Sequence, residues 1–369
     1  MRLRNLYPGI VSVSMDRHEK AVLQDVSREI EPVLPTLGEA EFLDLMAVVG
    51  MSRRGDLPAM SDLLAHLSEH RGAAVVVFEL GADTTAAVGP TPDHYHGGGI
   101  HNLYAADILR GLIVGLAGWY GYGYSTQQHG VVHNDVIPVK EMADIPEVSA
   151  AVTELGLHVE DASFNLGDGL DISPDFLTLH FFRNDDLVPT ILSIPDWSDL
   201  APRTMDLLRK EWFFNRTNPG QGGAANDPSV SVAICYGPSG NPWIRLNTGN
   251  VEVAAYEPRH ATALLELVEN IRRNRVALPF RPGQVVVIDN RRVLHGRRAY
   301  RVGAGPRYDG TDRWQRRLAC CRDPARLRQF EIRPRVVDPR ILLESAADNS
   351  RRGVIRTDER HAGFPDRHT

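Results

Sequence analysis

The sequence predicts a mainly β fold with flanking helices, built around a jelly-roll core. Three observations support this prediction: the first third has helical spacing of its apolar residues, short strand-like segments dominate from Tyr122 onward, and strands and helices do not alternate as they do in parallel βαβ proteins. The chain has 369 residues, 43% of them hydrophobic, and can bury a large core. We predict that residues 1–369 form a single domain.

Residues 1–120 are predicted to be a helical N-terminal wrap. Helical spacing occurs in "MDRHEKAVLQDVSREIEPVL", "GEAEFLDLMAVV", "MSDLLAHLSEHR" and "NLYAADILRGLIVGLAGWYG". Ser61 is a candidate N-cap for the third of these helices. The run "GAAVVVFEL" is short and apolar, which predicts a buried strand, and a loop rich in Gly, Pro and His follows it over residues 81–100.

Residues 121–325 are predicted to form the jelly-roll core. Its strands are predicted in "YGYSTQ", "ELGLHVE", "FLTLHFF", "TILSIP", "SVAICYG", "WIRLN", "QVVVIDN" and "RWQRRLACC". One helix, near 259–275, is inserted before the last two strands. Residues 335–369 are polar and rich in Arg and Asp, and we predict a loosely ordered C-terminal tail there.

Composition and net charge argue against several classes of function for this chain. A net charge of −6 and a pI of about 6.2 argue against a nucleic-acid-binding protein. Cys235, Cys320 and Cys321 form no CxxC pair and imply no disulfide framework, and Cys320 and Cys321 lie in an apolar run, so we expect those two to be small buried residues. The sequence contains no signal-peptide pattern and no apolar run of the roughly 18 residues that a membrane span needs. We therefore expect a cytoplasmic protein with no membrane partner.

The stretch "GLHVEDASF" places a histidine and two acids at the end of an apolar alternation. Residues two apart on a strand point to the same face, so His158 and Glu160 could bind one metal ion. His295, which follows the strand "QVVVID" and a turn, is the candidate third ligand. Two histidines and one carboxylate on one face of an octahedron are typical of non-haem Fe(II) sites.

Residue spacing alone does not exclude other interpretations of this pair or other metal sites. A lone His-x-Glu pair is also typical of a strand surface. His133 and Asp135 in "VVHNDVIP" have the same spacing, and His94 and His96 in "PDHYHGGG" could bind zinc.

Longer motifs favour the first site. The segments "HVEDA", "VVVIDNRRVLHGR" and "PRYDGTDRWQRR", together with "GYGYSTQQHG" and "HNDVIPV" upstream, resemble the clavaminate synthase-like Fe(II)/2-oxoglutarate-dependent oxygenases of the TauD-like superfamily. Within that family the motifs resemble those of the amino-acid hydroxylases, such as the arginine, enduracididine, asparagine and lysine hydroxylases. The resemblance covers residues from about 122 to 321, and it implies a double-stranded β-helix for the jelly-roll core.

The resemblance also implies roles for individual residues. His158, Glu160 and His295 would ligate Fe(II), and Arg313 would bind the distal carboxylate of 2-oxoglutarate. A guanidinium suits a carboxylate because it donates two charge-assisted hydrogen bonds in one plane. The second cosubstrate, O2, would react at the same metal.

Further positions match the family less directly. Arg317 and Thr190 are expected to contact 2-oxoglutarate, and Gln128 is expected to lie near the bound amino acid. Glu160 can also contact the substrate amino group, and Asp161 is expected to orient a metal ligand from behind. In this interpretation His133, Asp135, His129, His180 and His260 are structural or surface residues.

The implied activity is hydroxylation of an unactivated aliphatic C–H bond of an amino acid or a derivative, in antibiotic or other specialised metabolism. The carboxylate of Glu160 argues against halogenation, since halogenating relatives lack this ligand. The alternatives are a desaturase or cyclising oxygenase on a similar substrate, and a non-catalytic metal-binding β-barrel protein.

The chain departs from the arginine and lysine hydroxylases where a substrate-binding residue is expected. Asn247 and Gly249 in "WIRLNTGN" stand where those relatives have acidic residues. We therefore expect Asn247 to contact the substrate and expect a cationic substrate end to lack its usual counter-charge. Whether the substrate is free or carried by a protein, and the oligomeric state, are open.

Overall fold

The computed structural model describes residues 1–95, 103–167, 169–217, 230–253, 258–300 and 305–351. The helices are α1 (Arg17–Ile30), α2 (Glu39–Arg53), α3 (Pro58–Ser68), α4 (Ala105–Ala117), α5 (Pro202–Leu208), α6 (Pro258–Arg273) and α7 (Pro339–Arg351). The inserted helix that the sequence predicts near 259–275 is α6. None of the described helices combines the length and the apolar character that crossing a bilayer requires.

Strands make up most of the remaining regular structure. They are β1 (Arg2–Tyr7), β2 (Ile10–Ser14), β3 (Val75–Glu79), β4 (Tyr120–Tyr124), β5 (Asn134–Val136), β6 (Leu155–His158), β7 (Phe176–Arg183), β8 (Thr190–Ser193), β9 (Phe213–Asn215), β10 (Cys235–Tyr236), β11 (Trp243–Ile244), β12 (Val251–Val253), β13 (Arg275–Leu278), β14 (Gln284–Asp289), β15 (Leu294–Arg297), β16 (Trp314–Cys321), β17 (Glu331–Arg333) and β18 (Val336–Val337). The prediction of a mostly β protein with helices is confirmed.

The strands form two principal sheets. The larger has ten strands in the order β1-β2-β3-β14-β7-β16-β4-β18-β17, with β5 also paired to β16. The smaller has the order β13-β8-β15-β6. Their pairings are antiparallel except for β2 with β3 and β18 with β4, which are parallel.

Alternation along β14 gives the larger sheet two buried faces. Val285 and Val287 pack with the N-terminal helices, whereas Val286 and Ile288 belong to a second core that includes Leu192 of the smaller sheet. This is the period-two pattern of a strand that is covered on both sides. The smaller sheet therefore faces the larger one, and the helices cover the opposite side.

Helices α2 and α4 are in close contact, and a glycine makes this possible. A Cβ atom on Gly115 would lie 2.0 Å from the carbonyl oxygen of Met46, so only glycine fits there. All residues of α4 from Ala106 to Leu116 are buried. The apolar spacing that predicts α4 therefore reflects burial on every side.

The N-terminal region is more than a helical wrap. Residues 2–14 form the hairpin of β1 and β2, which the sequence analysis missed, although Gly9 in "YPGI" takes a left-handed φ of 73° at its turn. β3 is the predicted buried strand. Ser61 is not an N-cap, because α3 begins at Pro58 and the Ser61 hydroxyl donates to the carbonyl oxygen of Leu57 from inside the helix.

The prediction of a loosely ordered tail from residue 335 is wrong for its described part. β18 pairs with β4, and α7 buries Leu342 and Ala346 against the second core. These two residues lie four positions apart, a helical spacing that the polar composition of the tail obscured. Residues 352–369 of the predicted tail lie outside the described residues. Cys320 and Cys321 are buried, as predicted, and Cys235 is buried as well.

Candidate active site

Strand pairing brings the first and third candidate ligands together. β15 runs antiparallel to β6, and His295 stands directly opposite His158 in the register. Directly opposed residues on neighbouring strands have Cβ atoms about 5 Å apart. Residues distant in sequence are thus placed side by side by the smaller sheet.

Glu160 does not lie on the strand that the sequence analysis assigned to it. β6 ends at His158, and Glu160 lies in the turn that follows. Its backbone N–H donates to Oδ1 of Asn290 at 2.8 Å, and Nδ2 of Asn290 donates to its carbonyl oxygen at 3.1 Å. Asn290, immediately after β14, therefore fixes the turn and hence the direction of the Glu160 side chain.

The three side chains form a compact set of donors. One possible ligand atom from each of His158, Glu160 and His295 lies within 4.8 Å of the others, and all three residues are buried. Nε2 of His295 lies 3.3 Å from a Glu160 carboxylate oxygen. Nδ1 of His158 lies 2.8 Å from the carbonyl oxygen of Gly156, so its proton stays on Nδ1 and Nε2 is left to bind a metal.

The protonation states of two of these residues suit a metal. Burial, with a smaller contribution from His295, lowers the pKa of His158 to about 4, so the ring is neutral at neutral pH. Burial alone would raise the pKa of Glu160, but Arg317 and His295 hold that pKa well below its ordinary value. A neutral imidazole and an ionised carboxylate are the forms that bind divalent metals.

A small cavity of about 40 Å³ adjoins the donor set and contains the predicted cosubstrate residues. Thr190, Arg313 and Arg317 line it. Nη2 of Arg313 donates to Oε1 of Gln315 at 2.6 Å, and the guanidinium lies over Phe181, 5.3 Å from its ring centroid.

Arg313 and Thr190 retain polar atoms without partners. In the part of the chain that the structure describes, Nε of Arg313 and Oγ1 of Thr190 are buried and form no hydrogen bond, and the Arg313 guanidinium interacts with Gln315 and Tyr300 but with no carboxylate. Burial lowers the pKa of Arg313 to about 10, so it keeps its charge at neutral pH. Burying a cation without an anionic partner is costly, so the site suits the carboxylate of a bound cosubstrate.

A larger cavity of about 340 Å³ opens on the other side of Glu160 and Arg317. Arg317 and Glu160 also line the small cavity, so both side chains lie between the two spaces. It forms an ion pair with Glu160 and donates from Nη2 to Oε1 of Gln127 at 2.7 Å. Nε2 of Gln127 in turn donates to Oδ1 of Asp161 at 2.9 Å. Asp161 is therefore tied to the metal site through Gln127 and Arg317.

Two neighbouring glutamines have different roles. The Gln128 side chain lines the larger cavity, but its amide bonds both the backbone N–H and the carbonyl oxygen of Asp135, at 3.0 and 2.7 Å. Gln127, which contacts Arg317 and Asp161, was missed by the sequence analysis. The φ of 42° at Gln128 directs the two side chains differently, and the run "STQQHG" gives no sign of this.

Asn247 lies behind the site instead of in the larger cavity. It forms a β-bridge with His158, and its Oδ1 accepts the N–H of Gly249 at 3.0 Å. It lines a small pocket of about 10 Å³ beside His158 and Asp161. Its observed contacts hold the backbone next to a candidate ligand.

The pair of His133 and Asp135 does not belong to the metal-ligand group found among the described residues. Asp135 accepts hydrogen bonds from Nε1 of Trp314 at 2.7 Å and from Nε of Arg316 at 2.8 Å, within a buried ion-pair network. His94 lines the larger cavity, and His96 lies outside the described residues.

Comparison with known proteins gives one family. Residues 198–319 match the profile of the taurine catabolism dioxygenase TauD, TfdA family. The L-ornithine/L-arginine 3-hydroxylase of Catenulispora acidiphila is 28% identical over 295 residues, covering 71% of this chain and 81% of the relative. The enduracididine beta-hydroxylase of Streptomyces hygroscopicus is 28% identical over 337 residues, covering 85% and 93%.

A solved structure has the same fold. It is the non-heme iron oxygenase OrfP in complex with Fe and alpha-ketoglutaric acid, with a TM-score of 0.75 and 23% sequence identity. The match covers 88% of this chain and 99% of that one.

Proposed function

We propose that the chain is an oxygenase of the taurine catabolism dioxygenase TauD, TfdA family, and that it hydroxylates an unactivated aliphatic C–H bond of an amino acid or amino-acid derivative with Fe(II), 2-oxoglutarate and O2. The observation that carries this proposal is the buried set of His158, Glu160 and His295, which adjoins Arg313, an arginine that pairs with no carboxylate in the described part of the chain. Relatives named as hydroxylases of ornithine, arginine and enduracididine support an amino-acid substrate.

The donor set fits Fe(II). Two imidazoles and one carboxylate on one face of the metal leave positions for cosubstrate and oxygen. Bound iron, with O2, supplies oxidative decarboxylation of 2-oxoglutarate to succinate and CO2 and oxidation of the substrate. We propose that His158, Glu160 and His295 hold this ion, with His158 oriented by Gly156 and Glu160 by Asn290.

The small cavity is the proposed site of 2-oxoglutarate. Arg313 would bind the distal carboxylate through its guanidinium, and Thr190 would donate its buried hydroxyl to the same group. Arg317 is proposed to contact the cosubstrate nearer the metal, because it lines the small cavity and pairs with Glu160. Closing these polar groups away from water keeps the reaction centre dry.

The larger cavity is the proposed substrate site. Glu160 and Gln127 line it and present oxygen acceptors to a substrate amino group. We keep Gln128 as a proposed substrate contact through its position on the wall, whereas Asn247 would act by positioning the backbone beside His158. We further propose that the two facing sheets are a double-stranded β-helix core within a single domain, and that the metal lies between them.

Substrate-stimulated succinate release tests the proposal. The purified chain would be supplied with Fe(II) and 2-oxoglutarate and screened against free amino acids, derivatives and carrier-tethered amino acids. We expect stimulation by a narrow set, and a product heavier by one oxygen atom. Loss of two hydrogens would instead indicate desaturation or cyclisation. A chain that binds zinc and releases no succinate with any compound would be the non-catalytic protein.

A further inference from the structure

The larger cavity contains an acidic residue that the proposed chemistry does not use. Glu147 lines this cavity together with Glu160 and Arg317. Its backbone has a φ of 57°, in the left-handed region that residues other than glycine rarely adopt. Such conformations persist where the surroundings impose them, and they concentrate at functional sites.

Two glycines make room for the Glu147 carboxyl group. A Cβ atom on Gly249 would lie 2.7 Å from Cδ of Glu147 and 2.9 and 3.0 Å from its two oxygens. A Cβ atom on Gly156 would lie 3.0 Å from Oε2. The carboxylate therefore occupies the space that a side chain at position 249 would need.

Among the residues that the structure describes, none forms an ion pair with this carboxylate. Oε2 of Glu147 is buried, and it accepts no hydrogen bond from any residue in the described ranges. Burial raises the pKa of Glu147, and the nearby acid Glu154 raises it further. The hydrogen bond from the Gly156 backbone N–H opposes both effects. A buried carboxylate oxygen without a donor is costly, so the cavity is built for a ligand that donates to it.

We propose that Glu147 determines substrate specificity by binding the cationic end, ammonium or guanidinium, of a basic amino-acid side chain. The inference rests on the proposed function, because it places the amino-acid substrate in the larger cavity. It also revises an expectation from the sequence: Asn247 and Gly249 leave no counter-charge at their own positions, but Glu147 brings one to position 249 from another part of the chain. Arg317, on the wall of the same cavity, has the charge to attract the α-carboxylate.

The test compares L-arginine with L-citrulline, which has almost the same shape but a neutral end. Binding is measured by calorimetry on the Mn(II)-loaded protein with 2-oxoglutarate, and KM is measured by succinate release with Fe(II). We expect wild type to bind arginine at least about 10-fold more tightly than citrulline, since hydrogen bonds to charged groups contribute most. Glu147→Gln keeps the size and the acceptor for Gly156, and should weaken arginine binding about 10- to 100-fold with citrulline changed less than about 3-fold.

Two further variants guard against a purely structural effect. Glu154→Gln removes a nearby exposed acid that pairs with Arg298, and it should leave the arginine preference unchanged. Gly249→Ala places a Cβ atom against the Glu147 carboxylate and should reduce the preference while the KM for 2-oxoglutarate stays constant.

The outcomes separate the two proposals. If neutral amino acids drive succinate release and Glu147→Gln binds arginine as wild type does, the oxygenase function stands and the role of Glu147 is wrong. If no amino acid drives succinate release, the proposed function fails, and the calorimetric difference between arginine and citrulline still decides whether Glu147 binds a cation.

Discussion

Nε2 of His295 and a carboxylate oxygen of Glu160 lie 3.3 Å apart, although β15 carries the histidine and the turn after β6 carries the acid. With His158 directly opposite His295, the three side chains are fixed by sheet register and by the bonds of Asn290 to the turn. The site is thus held by backbone structure, which is the condition for a preorganised metal centre.

Removing a ligand should greatly weaken metal binding. We expect His295→Ala and Glu160→Ala to weaken Fe(II) binding by more than about 100-fold, because loss of even the outer partners of metal ligands costs about 10- to 100-fold. Calorimetric titration with Fe(II) under anaerobic conditions measures this directly. His66→Ala, which changes an exposed histidine on α3, is the matched control and should bind Fe(II) as wild type does. Wild-type affinity in His295→Ala would disprove the triad.

The KM for 2-oxoglutarate should depend on Arg313. Arg313→Lys keeps the charge but loses the planar pair of donors, and we expect KM for 2-oxoglutarate to rise about 10-fold or more. Thr190→Val should raise it less, by about 2- to 10-fold, because it removes one neutral donor. The KM for the amino acid should change little in both variants. Arg307→Gln, at an exposed arginine, is the control, and an unchanged KM in Arg313→Lys would place the cosubstrate elsewhere.

The metal triad was predictable from sequence because its members lie in ordered motifs. "HVEDA" and "VVVIDNRRVLHGR" carry both the ligands and the apolar strands that position them. The assignment of Glu160 to a strand was wrong, since β6 ends at His158, yet the turn still directs the side chain to the metal site. The motif therefore predicted which residues come together correctly, although it predicted the local structure around Glu160 incorrectly.

The walls of the larger cavity were not predictable in the same way. Gln128 and Glu147 both have positive φ, and no periodic pattern in the sequence signals such conformations for residues other than glycine. The sequence therefore could not predict which of Gln127 and Gln128 contacts Arg317. It also could not predict that the Glu147 carboxylate lies against Gly249. The β1–β2 hairpin was missed for a different reason: its strands are short, and β1 is mostly exposed, so the apolar alternation is weak.

Asp135 should contribute to stability and leave metal binding intact. Its carboxylate accepts from Trp314 and Arg316, and Arg316 also donates to Asp107 at 2.8 Å. Breaking one partner of a buried ion pair costs about 3–5 kcal/mol, so Asp135→Ala should lose about that much free energy of unfolding.

Urea unfolding measures this loss, with Glu252→Ala as the control. Glu252 pairs with Arg216 at the surface, and its removal should cost less than about 1 kcal/mol. Fe(II) affinity of a folded Asp135→Ala protein should match wild type. A large loss of Fe(II) affinity in Asp135→Ala would instead indicate that His133 and Asp135 ligate the metal.

The buried ring of His180 should make stability depend on pH. Burial, with Arg110 adding to its effect, lowers the pKa of His180 to about 3 from an ordinary value of 6.5. Below about pH 6.5 the His180 ring is therefore protonated in the unfolded chain. In the folded protein it stays neutral down to about pH 3. Stability is full above pH 6.5 and is lost as the pH falls through that window.

A comparison with His180→Leu isolates this contribution. Between pH 7.5 and pH 5, wild type should lose about 2 kcal/mol more free energy of unfolding than His180→Leu, from about 1.4 kcal/mol per pH unit below the unfolded pKa. Other titrating groups act equally in both proteins and cancel in the difference. His66→Leu, which changes an exposed histidine, should follow wild type at each pH. Parallel stability curves for wild type and His180→Leu would mean that the ring accepts a proton in the folded state.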